Sequence, residues 1–327
     1  RTQIETELSK DKKSQKRIRT PIEAKESIRW VEGLRAAREV ANACPATTCV
    51  CVGDSESDIY ELFSEPREID GPHRQVHLLT RACQTRATTD QSDWLTKARE
   101  SECLYECTVD VRARTAKIAP SHQGKRNKSR DARIAQVEVR ATTVALRPPW
   151  RHDRKLPELT VNVVLVEETN PPDGCEPIQW LLITTLPIDQ SEQVKRIVQA
   201  YCIRWQIEIY FRTIKTGCRI EQRQFETLSR LHNCIAVYSI IAWRVMYLCR
   251  LGRECPDLSC EVVFEPCEWK AVYMPNKKKA PPKTPPRLNE VIRMIASRGG
   301  DGIRKKTNPG PQTLWSGLQR THSMSTA

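Results

Sequence analysis

"YCIRWQIEIYFRTIKTG", residues 201–217, gathers one acid among several cations. With Tyr201 at zero on an ideal helix, Arg204 falls at about 300°, Glu208 at about 340°, Arg212 at about 20° and Lys215 at about 320°. The five residues therefore share one stripe. Trp205 and Ile209 border it on one side and Phe211 on the other. Such a stripe has two readings. Arg204–Glu208 and Glu208–Arg212 are ordinary i,i+4 pairs on a wet face, worth a few tenths of a kcal/mol each. Alternatively, Glu208 is a metal-binding carboxylate flanked by cations that grip phosphates. The second reading needs another carboxylate at a strand end near the helix. "ATTCVCVGDSESDIYELF" supplies Asp54. Thr47–Val52 reads as a buried strand that stops at Gly53–Asp54. A helix follows, with Ser55 or Ser57 expected as its cap. An acid that merely ends a strand or caps a helix is the plain alternative for Asp54. Glu56 and Asp58 read as ordinary solvated residues.

The 327 residues are enough for one large domain or two smaller ones. Lys and Arg number 53 against 40 Asp and Glu, a net charge of +13, which favours a polyanionic partner such as nucleic acid. None of the 14 cysteines forms a Cys-x-x-Cys pair, so a zinc site is not expected. No signal-peptide pattern opens the sequence, and scattered reduced thiols in a cytoplasmic protein are expected. "LHNCIAVYSIIAWRVMYLC", 231–249, contains His232, Asn233 and Arg244 and is barely long enough to span a bilayer. It reads as a buried core helix of a soluble protein, not a membrane span.

Along the chain, 1–20 is a charged arm and 21–43 is helical, with Ile28, Val31, Leu34 and Ala37 recurring at threes. "VHLLTRAC", 76–83, is a buried strand. Residues 84–186 form a β-rich block. In it Ala135, Val137 and Val139 alternate with Gln136, Glu138 and Arg140, and "VNVVLVEE" and "IQWLLITTL" flank "TNPPDG" as a hairpin-like pair. The basic loop "GKRNKSR", 124–130, lies within it. One long helix is expected over 189–216, ended by Gly217, and an apolar helix over 226–251. After Pro256 the chain is expected to be irregular, with a basic, Pro-rich linker at 276–286. Short helical pieces follow at 288–297 and 313–320.

Tyr201-x-x-Arg204-x-x-x-Glu208 followed by Lys215 resembles the Tyr-Arg-Glu-Lys signature of bacterial DDE transposases of the insertion-sequence-4 family. "VGDSESDIYELF" is similar to that family's second-aspartate segment. "VEETNPPDGCEPIQWLLITTLPI" resembles the strand-loop-strand before its catalytic helix. "SRGGDGIRKKTNPGPQTLWSGLQR" resembles its C-terminal stretch. The match at "NPP" and "WLL" resembles the hairpin-forming, cut-and-paste branch. The resemblance implies an α/β fold: a ribonuclease-H-like core, here incomplete, with a β-rich insertion and a helical C-terminal region. The implied domains are the arm 1–20, the first core half 21–83, the insertion 84–186, the catalytic-helix half 187–254, and a linker and dimerisation-like region 255–327.

It further implies strand cleavage and transfer with two Mg²⁺ (or Mn²⁺) ions held by Asp54 and Glu208, through a hairpin intermediate. The implied partners are transposon-end and target DNA, and a second copy of the chain or a full-length transposase. A bacterial, cytoplasmic, nucleoid-associated protein is implied. Tyr201, Arg204, Arg212 and Lys215 would contact phosphates near the cut, and Trp180 would stack on a flipped base. The alternative for Trp180 is an ordinary hairpin tryptophan. Arg81 matches a DNA-facing position, and Lys125, Arg126 and Lys128 would contact the backbone.

The family uses three carboxylates, the first on a core strand ahead of the segment resembling "KESIRWVEGL". Asp11, inside "LSKDKKSQK", has no strand around it and is no substitute. The resemblance therefore implies an N-terminally truncated transposase that by itself neither cleaves nor joins DNA. Two rivals stand beside it: a non-catalytic remnant that inhibits a full-length partner through residues 288–320, and a basic protein with no nucleic-acid role.

Overall fold

The structure, a computed structural model, describes residues 19–65, 76–111, 113, 131–300 and 308–325. It divides into two compact units, Arg1–Arg204 and Trp205–Ala327.

The first unit is mixed α/β. After a 3₁₀ turn at Ile22–Ala24 come α1 (Ile28–Ala43), β1 (Val50–Val52), a 3₁₀ turn at Ser55–Ser57, α2 (Tyr60–Ser64) and β2 (His77–Arg81). Then follow α3 (Trp94–Glu100), β3 (Cys103–Val111), β4 (Arg133–Leu146), β5 (Leu159–Glu168), β6 (Gln179–Thr184) and α4 (Ser191–Ile203). One six-stranded sheet runs in the order β1-β2-β6-β5-β4-β3. Only β1 and β2 are parallel; every other pair is antiparallel. The strands of the β-rich block thus extend the same sheet as β1 and β2.

The expected alternation of β4 is present: Ala135, Val137 and Val139 are buried, while Gln136 faces solvent. β5 and β6 pair as the flanks of "TNPPDG" require, with Val163 opposite Ile183. Gly174 takes φ +73° in that connection, a conformation suited to glycine. Both faces of the central strands are covered. Leu78, Val163, Leu165 and Ile183 pack with Val31 and Leu34 of α1 and Trp94 of α3. Leu79, Val164, Val166 and Leu182 pack with Val194, Ile197 and Tyr201 of α4. Two-faced burial is why these strands read as continuous apolar runs.

Three local expectations need correction. β1 is shorter than Thr47–Val52, because Thr47 N–H closes a turn onto Cys44 O (3.0 Å) before the strand begins. Neither Ser55 nor Ser57 caps a helix; Asp54 itself caps the 3₁₀ turn, and α2 starts at Tyr60 without a side-chain cap. Helix α3 was not anticipated, although Asp93 accepts from Leu95 and Thr96 N–H at 2.9 Å each, a cap with a sequence signature.

The second unit is helical: α5 (Gln206–Arg212), a π-turn at Thr213–Gly217, a 3₁₀ turn at Ile220–Gln222, α6 (Leu228–Glu254), a 3₁₀ turn at Cys260–Val262, α7 (Pro266–Lys277), α8 (Leu288–Arg298) and α9 (Pro311–Ser325). Its core is built from Val245, Leu248, Trp269, Leu288, Ile292, Ile295 and Leu314. Helices α8 and α9 meet backbone to backbone: a Cβ on Gly317 would lie 2.0 Å from Ile295 O, and one on Gly299 2.0 Å from Thr313 O.

The chain after Pro256 is not irregular. Pro266 opens α7, and a Glu265–Glu268 capping box supports its first turn. The single helix expected over 189–216 is broken at Arg204–Trp205, where Arg204 N–H bonds Tyr201 O and Glu208 N–H bonds Trp205 O, both three residues back. Nor is α6 a fully buried core helix. Ala242, Val245, Leu248 and Cys249 are buried, but Val237, Ile240 and Trp243 are exposed. It is long and apolar enough to cross a membrane by length and composition. Its Arg244 reaches Glu268 at 3.6 Å within the unit.

Burial pushes the Cys249 and Cys260 thiols up to about 11. The thiolate is the nucleophile, so both should resist iodoacetamide at pH 7.5 while exposed Cys44, Cys175 and Cys267 react. Peptide mass spectrometry of native and urea-unfolded protein checks this; equal labelling of Cys260 in the native state would contradict it.

Candidate functional site

Asp54 sits two residues past the end of β1, half-buried. Gly53 puts it there. A Cβ on Gly53 would lie 2.0 Å from Ser57 Oγ, so only glycine allows the turn to fold back so tightly. Gly53 N–H also bonds Leu79 O of β2 at 2.9 Å. The Asp54 carboxylate accepts the Glu56 N–H through Oδ1 (2.9 Å). Its carbonyl oxygen lies 2.7 Å from Ser57 Oγ and 2.9 Å from Thr80 Oγ1, and the two hydroxyls lie against each other, so their two protons are shared among these three contacts.

The same loop is anchored at its far end by Asp58, which is not a solvated residue as its sequence suggests. Its side chain is fully buried, and Arg86 clamps it: Nη2 lies 2.6 Å and Nε 3.2 Å from Oδ1. Cys83 N–H donates to Oδ2 at 2.8 Å. The Arg86 guanidinium is held between the rings of Tyr60 (5.9 Å) and Trp94 (5.7 Å). Burial pushes the Tyr60 hydroxyl up to about 12, and it donates to Pro157 O at 2.8 Å. Glu56 is exposed, as expected, and pairs with Arg29 at 2.9 Å.

Tyr201, Trp180 and Arg204 come together in the first unit. Tyr201 is buried on α4, its ring 5.8 Å from that of Trp180 on β6. The Arg204 guanidinium lies 6.0 Å from the Tyr201 ring. Arg81 ends β2 exposed, opposite Leu182.

Glu208, Arg212 and Lys215 belong to the second unit. Glu208 is exposed in the first turn of α5, and Arg212 is exposed in its last turn. Lys215 lies in the π-turn, which Cys218 N–H closes onto Thr213 O at 2.9 Å, and it pairs with Glu221 at 3.5 Å. The break at 204–205 and the π-turn mean that a constant 100° per residue does not carry through this stretch. Lys125, Arg126, Lys128 and Asp11 lie outside the described residues.

The donors proposed for a metal are carboxylate oxygens, which suit a hard divalent ion such as Mg²⁺ or Mn²⁺. Asp54 uses Oδ1 locally, while Oδ2 has no hydrogen bond among the described residues. No cluster of three or more His, Cys, Asp or Glu side chains able to hold a metal occurs among the described residues.

A six-stranded mixed sheet with an acid held just past a strand end, followed by a helical unit, defines a class of α/β domain. The comparisons give it a family. Residues 31–243 match the transposase DDE domain, and residues 240–325 match the dimerisation domain described as that of transposase Tn5. The chain belongs to the DDE transposase family, whose members act on DNA and depend on divalent metal.

Arg86→Ala should cost about 3 kcal/mol or more, because it leaves a buried carboxylate unpaired. Arg86→Lys should recover less than half of that, since a point charge cannot make the fork. Chemical denaturation reads both; a loss under about 1 kcal/mol for the alanine variant would show that the pair is not an anchor.

Proposed function

We propose that these residues belong to a cut-and-paste transposase of the insertion-sequence-4 family that cleaves and transfers DNA strands through a hairpin intermediate. The observation that carries the reading is the ordered pair of family matches, over 31–243 and then 240–325. Asp54 and Glu208 are the metal-binding carboxylates. A bound Mg²⁺ or Mn²⁺ pair supplies activation of the attacking oxygen and stabilisation of the leaving one. Arg204, Arg212 and Lys215 hold the phosphates in line, Tyr201 supports that contact, and Arg81, Lys125, Arg126 and Lys128 grip the backbone without regard to sequence. Trp180 stacks on a flipped base, and its place beside Tyr201 supports an aromatic platform there.

The core is ribonuclease-H-like. In support, β1 and β2 are parallel neighbours in a mixed sheet, and Asp54 lies just past the end of β1. The resemblance assigns the chain two of three carboxylates, so these 327 residues alone neither cleave nor join DNA.

A second reading is favoured by the match to a dimerisation domain: a non-catalytic chain that pairs with a full-length transposase through its C-terminal region and blocks it. Co-purification with a full-length relative, lost on deleting 288–320, supports it; no association removes it.

Two measurements test the main reading. Retention on duplex DNA should fall steeply with salt, the logarithmic slope growing by about 0.9 for each phosphate neutralised, while no nicked or hairpin product forms with Mn²⁺. Weak retention indifferent to salt would instead mark a basic protein with no DNA role. Mn²⁺ affinity, read by water-proton relaxation, should drop about tenfold in Asp54→Asn and in Glu208→Gln. Unchanged affinity in both variants would remove these residues from the metal site.

A further inference from the structure

The loop after the π-turn and α9 flank an open pocket of about 380 Å³ within the second unit, and Arg219, Arg223, Gln312 and Gln319 on its wall are exposed. Gly217, Arg219, Arg223, Gln312, Ser316 and Gln319 line it. Every charged group on that wall is a guanidinium. Glu221, the nearby acid in sequence, is engaged by Lys215 at 3.5 Å.

Two features set this place apart from an ordinary basic surface. Arg219 adopts φ +52°, ψ +42°, a left-handed conformation that is costly to a residue with a Cβ. Outliers of this kind cluster at ligand sites, where the surrounding structure holds them. Its guanidinium has no carboxylate partner among the described residues. Arg223 is held by a neutral partner: it donates to Tyr238 Oη at 2.7 Å, its Cζ 5.2 Å from the ring centroid. The phenol fixes the guanidinium without cancelling its charge, and a guanidinium keeps further N–H donors for a ligand. Trp315 packs behind Gly217 and is not one of the residues that line the pocket. Burial pushes the Cys218 thiol on the same wall up despite the nearby Arg223 charge.

We propose that this pocket binds a phosphate oxyanion, with the Arg219 and Arg223 guanidinium groups as charged donors and the Ser316 hydroxyl and the Gln312 and Gln319 amides as neutral ones. Planar guanidinium forks match phosphate oxygens bidentately. The amides and hydroxyl fix orientation in a site of ordinary ligand size. The phosphate comes either from a DNA backbone or from free phosphate. The DNA source rests on the transposase reading, whereas the pocket chemistry does not.

The test uses the full chain with two probes: inorganic phosphate, followed by ³¹P line broadening, and a short fluorescent duplex titrated at several salt concentrations. Wild type should bind phosphate saturably. Arg219→Ala/Arg223→Ala should weaken that binding by about tenfold or more. If the source is DNA, the same variant should flatten the logarithmic salt slope by about 1 to 2. Arg219→Lys/Arg223→Lys should keep the DNA salt slope, which counts charges, while weakening phosphate binding, because an ammonium group cannot make the fork. Lost phosphate binding with an unchanged DNA slope supports the pocket and assigns it to free phosphate. Phosphate binding by a wild-type chain that ignores DNA supports the pocket while sinking the transposase reading. Where the double alanine variant loses its native circular dichroism, Ser316→Glu decides, because a carboxylate placed in the pocket should expel phosphate. Phosphate binding and DNA slope both unchanged in the folded alanine variant, or phosphate binding unchanged in Ser316→Glu, overturn the proposal.

Discussion

Val163 and Val164 are neighbours on β5, point to opposite faces of the sheet, and are both wholly buried. That constraint orders the first unit. A strand buried on both sides needs a layer on each, and α1 and α3 supply one while α4 supplies the other. With strands β2, β6 and β5 locked between layers, register cannot slip, because a one-residue shift would exchange the sets packed on the two faces. The ends of those strands, and the loop that follows β1, therefore have fixed places.

The Asp54 loop uses this rigidity. Gly53 bonds β2, Thr80 of β2 bonds the Asp54 carbonyl, and Asp58 is sealed beneath Arg86. Each contact ties the loop to the sheet or to the segment just after β2. The arrangement fixes where a carboxylate stands, with Oδ2 clear of hydrogen bonds among the described residues. A buried ion pair is a weak source of net stability, so its value here lies in holding one loop geometry against others.

In the second unit, helical irregularity serves the same end. The π-turn at 213–217 and the left-handed Arg219 redirect the chain within a few residues and bring cationic side chains against α9. π-turns and strained residues of this sort recur at functional sites. The close crossing of α8 and α9 at Gly299 and Gly317 keeps α9 in place for that contact. The exposed Ile240 and Trp243 on α6 lie in the segment matched to a dimerisation domain.

Local and periodic features were legible in the sequence. The β4 alternation, the β5–β6 pair and α8 follow from residue spacing and turn chemistry, which act over a few neighbours. Several features were not legible. Asp58 looks like any solvated acid until Arg86, 28 residues away, is folded over it. The stripe through Arg204, Glu208 and Lys215 assumes one unbroken helix, whereas two three-residue-back bonds and a π-turn interrupt it. Helix α6 has the composition of a core helix, yet composition cannot say which of its faces finds a partner. Spacing along the chain is a local property. Burial, ion pairing between distant residues and the strain at Arg219 arise only when separate segments compete for the same space, and only the tertiary structure decides them.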